Sequence, residues 1–386
     1  MAKLPSEYNK SHNSIAYLDN ASTTKLDTRV LDEMLPYFAE IYGNASSNHS
    51  FGKKAKDAID KARTQVSNLL NCNSQEIIFT SGATESINLA MKGYVESHAD
   101  KGNHLITVKT EHKAVLATCE YLETKGYEVT YLDVDENGFI SMNQLKDSIR
   151  NDTLLITVMY VNNETGIIQA IREIGSLCKE KNIAFLCDAT QAVGKIEVDV
   201  EEDFIDMLCF SGHKLNGPKG TGVLYKRNDI EITPLIHGGG QEYGLRGGTY
   251  NTPLIVGLGK SCELAYNELK NNTNIIEEVN KFLIQELKKI KGSFIIGNAT
   301  NRIFNIVDVI IPEFNSDVFI SKISNFPLSN GSACTSQIVE SSHVLKAMGF
   351  NDEKCNQSIR ISIDKTTSIT QITKLIEIIQ REIMIK

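Results

Sequence analysis

The chain has 386 residues, 41% of them hydrophobic and 23% charged, which excludes a disordered protein and suits two domains better than a single core. Its net charge of −8 argues against unaided binding of nucleic acid. No apolar run approaches the roughly 20 residues that span a bilayer, and Met1 to Glu7 lack the hydrophobic stretch of a signal peptide, so the expected location is the cytoplasm.

In chain order, residues 1–14 are polar and read as an extended arm. Tyr17-Leu18-Asp19-Asn20-Ala21 enters the fold, an amphipathic helix starts near Thr28, and a long helix covers about Lys53 to Leu70. Glu76 to Thr80 reads as a strand that feeds through Ser81-Gly82-Ala83-Thr84 into a helix carrying Ile87, Leu89 and Met91. Such a junction exposes free backbone N–H groups and the positive end of a helix dipole, the makings of a phosphate site. Alone, it reads first as an ordinary capped strand–helix junction.

Strands are expected at His104–Val108, Tyr127–Leu132, Leu154–Tyr160, Ala184–Asp188, Asp206–Phe210 and Thr221–Tyr225. Near-continuous apolar strands alternating with helices predict an α/β fold, with a mainly parallel central sheet covered on both faces. Polar residues collect just past the strand ends, where ligands bind in such sheets. Near residue 260 the texture changes. A charged amphipathic helix from Ser261 to Ile290, strands at Ile303–Ile311 and Ser358–Ile363, and a terminal helix from about Ile369 to Ile385 predict a smaller α+β domain. The expected division is 15–260 for the large domain, with 1–14 and 261–386 forming the small one.

Ser211-Gly212-His213-Lys214 directly follows a buried strand and precedes a glycine-rich turn. A lysine held there beside a histidine is partly desolvated, which makes its amine a competent nucleophile. Ser211 and His213 can donate to an anion, so the stretch is equipped to hold a phosphorylated aldehyde as a Schiff base. Asp188, at a strand end, can keep a pyridine nitrogen protonated, though it serves equally well as a helix cap. His112, at a helix start, can stack on a ring, though it reads better as a cap or surface histidine. None of the eight cysteines forms a Cys-x-x-Cys pair, so no metal site is expected. Cys187 and Cys209 lie in apolar strands and read as core. Cys334 lies in the small, polar stretch Gly331-Ser332-Ala333-Cys334-Thr335-Ser336 and reads as an exposed loop residue.

Taken together, these segments resemble the cysteine desulfurases of the class V aminotransferase-like, pyridoxal-phosphate-dependent group, whose enzymes have the fold of type I transferases. The resemblance runs through Phe79 to Ser86, Thr110 to Val115, Val161 to Glu164, Asp188 to Gln191, Ser211 to Lys214, His237 to Glu242, Gly248-Thr249, Gly331 to Ser336 and Ser358-Ile359-Arg360, in family order over nearly the whole chain. It implies that Lys214 holds pyridoxal 5'-phosphate covalently and that Cys334 takes sulfur from L-cysteine as a persulfide. It implies phosphate contacts from Ala83, Thr84, Ser211, Gly212 and His213, and from Thr249 across a homodimer. By the same resemblance Asp188 pairs with the ring nitrogen, Gln191 touches the ring hydroxyl, and His112 stacks on the ring and moves protons. Asn163 belongs to the cofactor contacts and, with Arg360, holds the substrate carboxylate. A protein sulfur acceptor is expected, serving iron–sulfur assembly, tRNA thiolation or DNA phosphorothioation, with no direct nucleic-acid or membrane partner. Asn330, Gly247 and the segment 337–341 depart from the family pattern and leave the acceptor open. A selenocysteine lyase, a plain class V aminotransferase and an inactive sulfur-relay scaffold are the alternatives. The second needs no cysteine in a small-residue loop, and the third needs none of Lys214, Asp188, His213 and Cys334.

Overall fold

A computed structural model describes residues 16–297, 300–331 and 341–384, so Cys334 lies outside the described residues. The chain divides into two compact units. The larger comprises Thr23–Asn163 and Ile167–Lys270; the smaller comprises the described parts of Met1–Ser22, Glu164–Gly166 and Asn271–Lys386.

The larger unit contains α1 (Thr28–Met34), α2 (Pro36–Ala39), α3 (Ser50–Leu70), β1 (Ile77–Thr80), α4 (Ala83–Ser97), β2 (His104–Val108), α5 (Lys113–Glu123) and β3 (Glu128–Leu132). It continues with α6 (Met142–Ser148), β4 (Thr153–Thr157), α7 (Ile171–Lys181), β5 (Ala184–Asp188), β6 (Met207–Ser211), β7 (Gly222–Lys226) and the start of α8 (Thr252–Lys288). Seven strands form one sheet in the order β1-β7-β6-β5-β4-β2-β3. All neighbours are parallel except β7, which runs antiparallel to both β1 and β6. Chain length explains the exception: a parallel return needs a crossover of about a dozen residues or more, usually helical, and only the short Lys214 turn separates Ser211 from Gly222. Strands β2, β4, β5 and β6 are buried along their whole length, as expected for a sheet covered on both faces. Ile87, Leu89 and Met91 of α4 pack with Leu155, Leu186, Met207 and Leu224 of the sheet. Each such side chain contributes about 1.5–3 kcal/mol on burial.

The smaller unit carries the rest of α8, β8 (Phe294–Ile295), β9 (Ile306–Ile310), α9 (Ser316–Lys322), α10 (His343–Ala347), α11 (Asp352–Asn356), β10 (Ser358–Ser362) and α12 (Ile369–Met384). Its antiparallel sheet has the order β10-β9-β8. Ile372, Leu375, Ile376 and Ile379 of α12 recur at helical spacing and pack with Val307, Val309, Ile359 and Ile361 of the sheet. Leu18 joins this core, and Asn20 Nδ2 donates to the Ser362 carbonyl at 2.9 Å. Residues 16–22 therefore belong with the smaller unit, and the division within α8 falls at Lys270, later than the change of texture near 260. Among the described residues no helix is long and apolar enough to cross a membrane.

Candidate active site

Lys214 closes a 3-10 turn, Gly212–Lys214, that begins where β6 ends. The turn is tied on both sides. Gly212 N–H donates to the Thr221 carbonyl at 3.0 Å, and Leu215 and Gly217 N–H both donate to the Gly212 carbonyl. Thr24 donates to the His213 carbonyl from its N–H at 2.9 Å and its hydroxyl at 2.8 Å, while Asn216 N–H donates to Thr24 Oγ1 at 2.8 Å. The backbone on either side of the half-buried Lys214 is thus fixed before any ligand arrives.

Against this turn stands the first turn of α4. Ala83 N–H donates to Ser211 Oγ at 2.7 Å, joining the helix start to the end of β6. Gly82 precedes the helix at φ 157°, a conformation that favours glycine. A Cβ on Gly222 would lie 2.5 Å from Gly82 Cα, so the two backbones approach as only glycines allow. Glu85 accepts from Ser81 N–H at 2.8 Å and pairs with Arg246 at 2.9 Å, which lowers its carboxyl pKa despite its burial. Thr84 stays exposed. The local field is cationic: burial, then Lys214, Lys219 and Lys195, hold His213 down at about 4. Its ring Nδ1 lies 3.1 Å from Thr23 Oγ1.

Asp188 ends β5, beside β6, and is 6% exposed. One oxygen accepts from Thr190 N–H at 3.0 Å in a local turn; no helix begins after Asp188, so it is not a helix cap. His112 caps α5: Ala114 N–H donates to its Nδ1 at 3.1 Å, which places the proton of the neutral ring on Nε2. Gln191 is buried just beyond Asp188, whereas Asn163 is half-buried. Thr249 is exposed, in a segment pinned by Glu242. The buried Glu242 carboxylate takes both nitrogens of the Arg63 fork, at 2.8 and 2.9 Å, and Phe79 N–H at 2.9 Å.

In the smaller unit, Arg360 on β10 is 4% exposed, and its guanidinium donates to Asp19 Oδ1 and Ser22 Oγ, each at 2.7 Å. The planar fork is therefore oriented by its own unit.

Three residues stand out that the sequence reading passed over. Glu111 is fully buried and accepts from Met159 N–H; burial first, then the nearby Asp188, drive its pKa well above the carboxylate range. Lys195 has its amine drawn down to about 7 by burial and by Lys214. Glu242 appeared only as part of a glycine-rich stretch. Glu111, before His112, and Glu242, before Tyr243, gave no signal, because their importance comes from burial, which local sequence does not display.

These residues fit pyridoxal 5'-phosphate. The helix start at Ala83, with Ser211 and His213, suits a phosphate, and the surrounding lysines supply the positive charge. Asp188 supplies an anion for a pyridinium, and Lys214 an amine for an aldehyde.

Seven cysteines lie among the described residues and all are free thiols. Burial raises every one of them, Cys72 and Cys119 to about 12 and Cys187 and Cys209 well above the ordinary thiol value. They are poor nucleophiles.

The Aminotransferase class-V family matches residues 16–375. Cysteine desulfurase IscS of Neisseria gonorrhoeae is 45% identical over 370 residues, covering 95% of this chain and 92% of that one. Cysteine desulfurase IscS of Ehrlichia chaffeensis is 45% identical over 94% of this chain and 90% of its own. Among solved structures, a NifS-like protein superposes with a TM-score of 0.90 at 36% identity, covering 96% of this chain and all of that one (100%). SspA in complex with cysteine superposes with a TM-score of 0.82 at 38% identity, over 91% of this chain and 99% of that one. Enzymes of this group work with pyridoxal 5'-phosphate. The chain belongs to the class V aminotransferase family and, within it, to the cysteine desulfurases.

Proposed function

We propose that this protein converts L-cysteine to L-alanine, taking the sulfur onto Cys334 as a persulfide and passing it to a protein acceptor. The observation that carries the reading is the junction of two elements at Lys214: the end of β6 delivers Ser211, His213 and Lys214, and Ser211 is bonded to the start of α4 at 2.7 Å.

Pyridoxal 5'-phosphate, when bound, supplies an electron sink for the pair left at the substrate Cα. Ala83, Thr84, Ser211, Gly212 and His213 bind its phosphate, and Asp188 keeps a proton on its ring nitrogen. Gln191 faces the ring oxygen, and His112, its Nδ1 occupied by Ala114, offers Nε2–H to the ring or to a proton in transit. Lys214 anchors the cofactor and then takes the Cα proton with its freed amine. Asn163 and Arg360 hold the substrate carboxylate, a task for which the planar guanidinium fork is suited. The Cys334 thiolate attacks the substrate sulfur. The S–S bond forms as the Cβ–S bond breaks, so alanine and one persulfide account for every atom. The raised pKa values of the other seven cysteines support this choice of nucleophile.

A homodimer is part of the proposal. Leu35, Phe38, Tyr42 and Phe51 expose large apolar surface in the α1–α3 region, with Tyr42 and Phe51 ring centroids 5.7 Å apart. Contiguous exposed apolar surface marks an interaction site. Thr249 sits exposed on the segment that Glu242 pins, free to serve a neighbouring phosphate.

The test is reduction of the cofactor-loaded protein with borohydride, peptide mapping, and an alanine assay with L-cysteine. A reduced adduct on the Lys214 peptide and stoichiometric alanine support the function. An adduct elsewhere, or pyruvate as the product, contradicts it.

A further inference from the structure

Lys195 has no part in the chemistry above, yet it sits among its central groups. The chain leaves β5 at Asp188 and turns back on itself, Ala192 N–H donating to the Ala189 carbonyl at 2.9 Å and Lys195 N–H to the Ala192 carbonyl at 3.0 Å. Gly194 makes this possible at φ 76°. A Cβ there would lie 3.1 Å from Ala265 Cβ and 3.3 Å from Leu215 Cβ, so the turn is packed on the residue that follows Lys214. From this turn the Lys195 Nζ donates to Gln191 Oε1 at 2.6 Å.

An ammonium can only donate, whereas an amide can present either its oxygen or its NH2 group. With Lys195 protonated, Gln191 must turn its oxygen to Nζ, which leaves its NH2 as the donor on the opposite side. We propose that Lys195 is a positioning residue that locks the Gln191 amide with its NH2 toward the ring oxygen of the cofactor. The proposal rests on the assignment of Gln191 to that oxygen and of Lys214 to the cofactor aldehyde. Burial and the charge of Lys214 oppose protonation of Lys195, and Lys195 and Lys219 in turn lower His213. A phosphate dianion bound at His213, in the same cationic field, counters that repulsion, and in its charged form Lys195 fixes the amide oxygen through the 2.6 Å bond. The lock is therefore set when the cofactor is in place.

The experiment is a pH titration of the visible absorbance of the cofactor-loaded protein. Lys195→Met keeps the chain length and removes the donor. Without the lock the amide flips, and the ring oxygen loses a donor to its ionised form. The titration midpoint should then rise by about one pH unit. Lys195→Arg, a donor with charge, should return most of the shift. Gln191→Leu should raise the midpoint as much as Lys195→Met, and the double variant no further. An unmoved midpoint in Lys195→Met overturns the proposal. So does an equal shift by Lys195→Met with or without Gln191, since that is a charge effect alone. An unmoved midpoint in Gln191→Leu overturns it even if Lys195→Met does not fold. Failure of the underlying reading looks different: no cofactor is bound, or the borohydride adduct maps to a lysine other than Lys214.

Discussion

Exchange of Asp308 for asparagine should stabilise the protein, and by an amount that grows with pH. Asp308 lies in the middle of β9, directly across from Arg360 on β10, and is fully buried. Ser358 Oγ donates to its Oδ1, and its Oδ2 meets no hydrogen-bond partner among the described residues. Burial pushes its carboxyl from the ordinary 3.8 up to about 7; the Ser358 bond and Arg360 pull down, and Glu164 pushes up. In the folded state the neutral acid is favoured, whereas the unfolded chain loses that proton near its ordinary value. Stability therefore falls as pH rises from about 4 to about 7 and is constant above. A difference of about three pH units corresponds to about 4 kcal/mol. Asparagine keeps the acceptor for Ser358 and never ionises. Asp308→Asn should gain about 1 kcal/mol near pH 4.5 and about 4 kcal/mol above pH 8. Scanning calorimetry across that range should show the difference in Tm widening to roughly 5 °C at the alkaline end. A difference in Tm that does not change with pH, or an asparagine variant less stable above pH 8, would refute the reasoning.

Other residues give independent tests. Lys214→Ala should still bind cofactor through the phosphate contacts but leave no borohydride-fixed adduct, with alanine production lower by roughly 10⁴-fold; a normal rate would remove Lys214 from the mechanism. Glu242→Gln leaves the buried Arg63 guanidinium without its counter-ion and should cost about 3–5 kcal/mol of stability, read as a lowered urea midpoint; an unchanged midpoint would show the pair to be dispensable. Light scattering at micromolar concentration should give the mass of two chains. A fully active monomer would contradict the interface drawn through α1–α3 and Thr249.

Much of the larger unit was legible because parallel strands are apolar throughout. Ala184–Asp188 and His104–Val108 stand where the sequence places them. The direction of β7 was legible in principle, from the shortness of the Lys214 turn. The start of α8 was not. Thr252 to Lys260 carries Gly257 and Gly259, which weaken a helical reading. Both are packing sites: a Cβ on Gly257 would meet Met34 Sδ, and one on Gly259 would meet Ala62 Cα, each at 2.5 Å. Tertiary contact there overrides propensity. In the site, Lys214, His213, Ser211 and Asp188 announced themselves because reactive side chains follow apolar strands. Lys195, Glu111 and the Arg63–Glu242 pair did not, since each matters through a partner distant in sequence or through burial. His112 shows the two kinds of information together: the cap that the sequence favoured is real, and that bond sets the tautomer the proposed chemistry uses.

The central claim is that sulfur from L-cysteine arrives on Cys334. Mass spectrometry of the cofactor-loaded protein, quenched by alkylation after brief exposure to L-cysteine, tests it directly. One additional sulfur on the peptide containing Cys334, one alanine released per modified chain, and loss of both in Cys334→Ser while the cofactor spectrum still responds to L-cysteine are the results predicted. Sulfur on any of the other seven cysteines, or normal turnover by Cys334→Ser, would contradict the account and leave a lyase or aminotransferase that works through Lys214 alone.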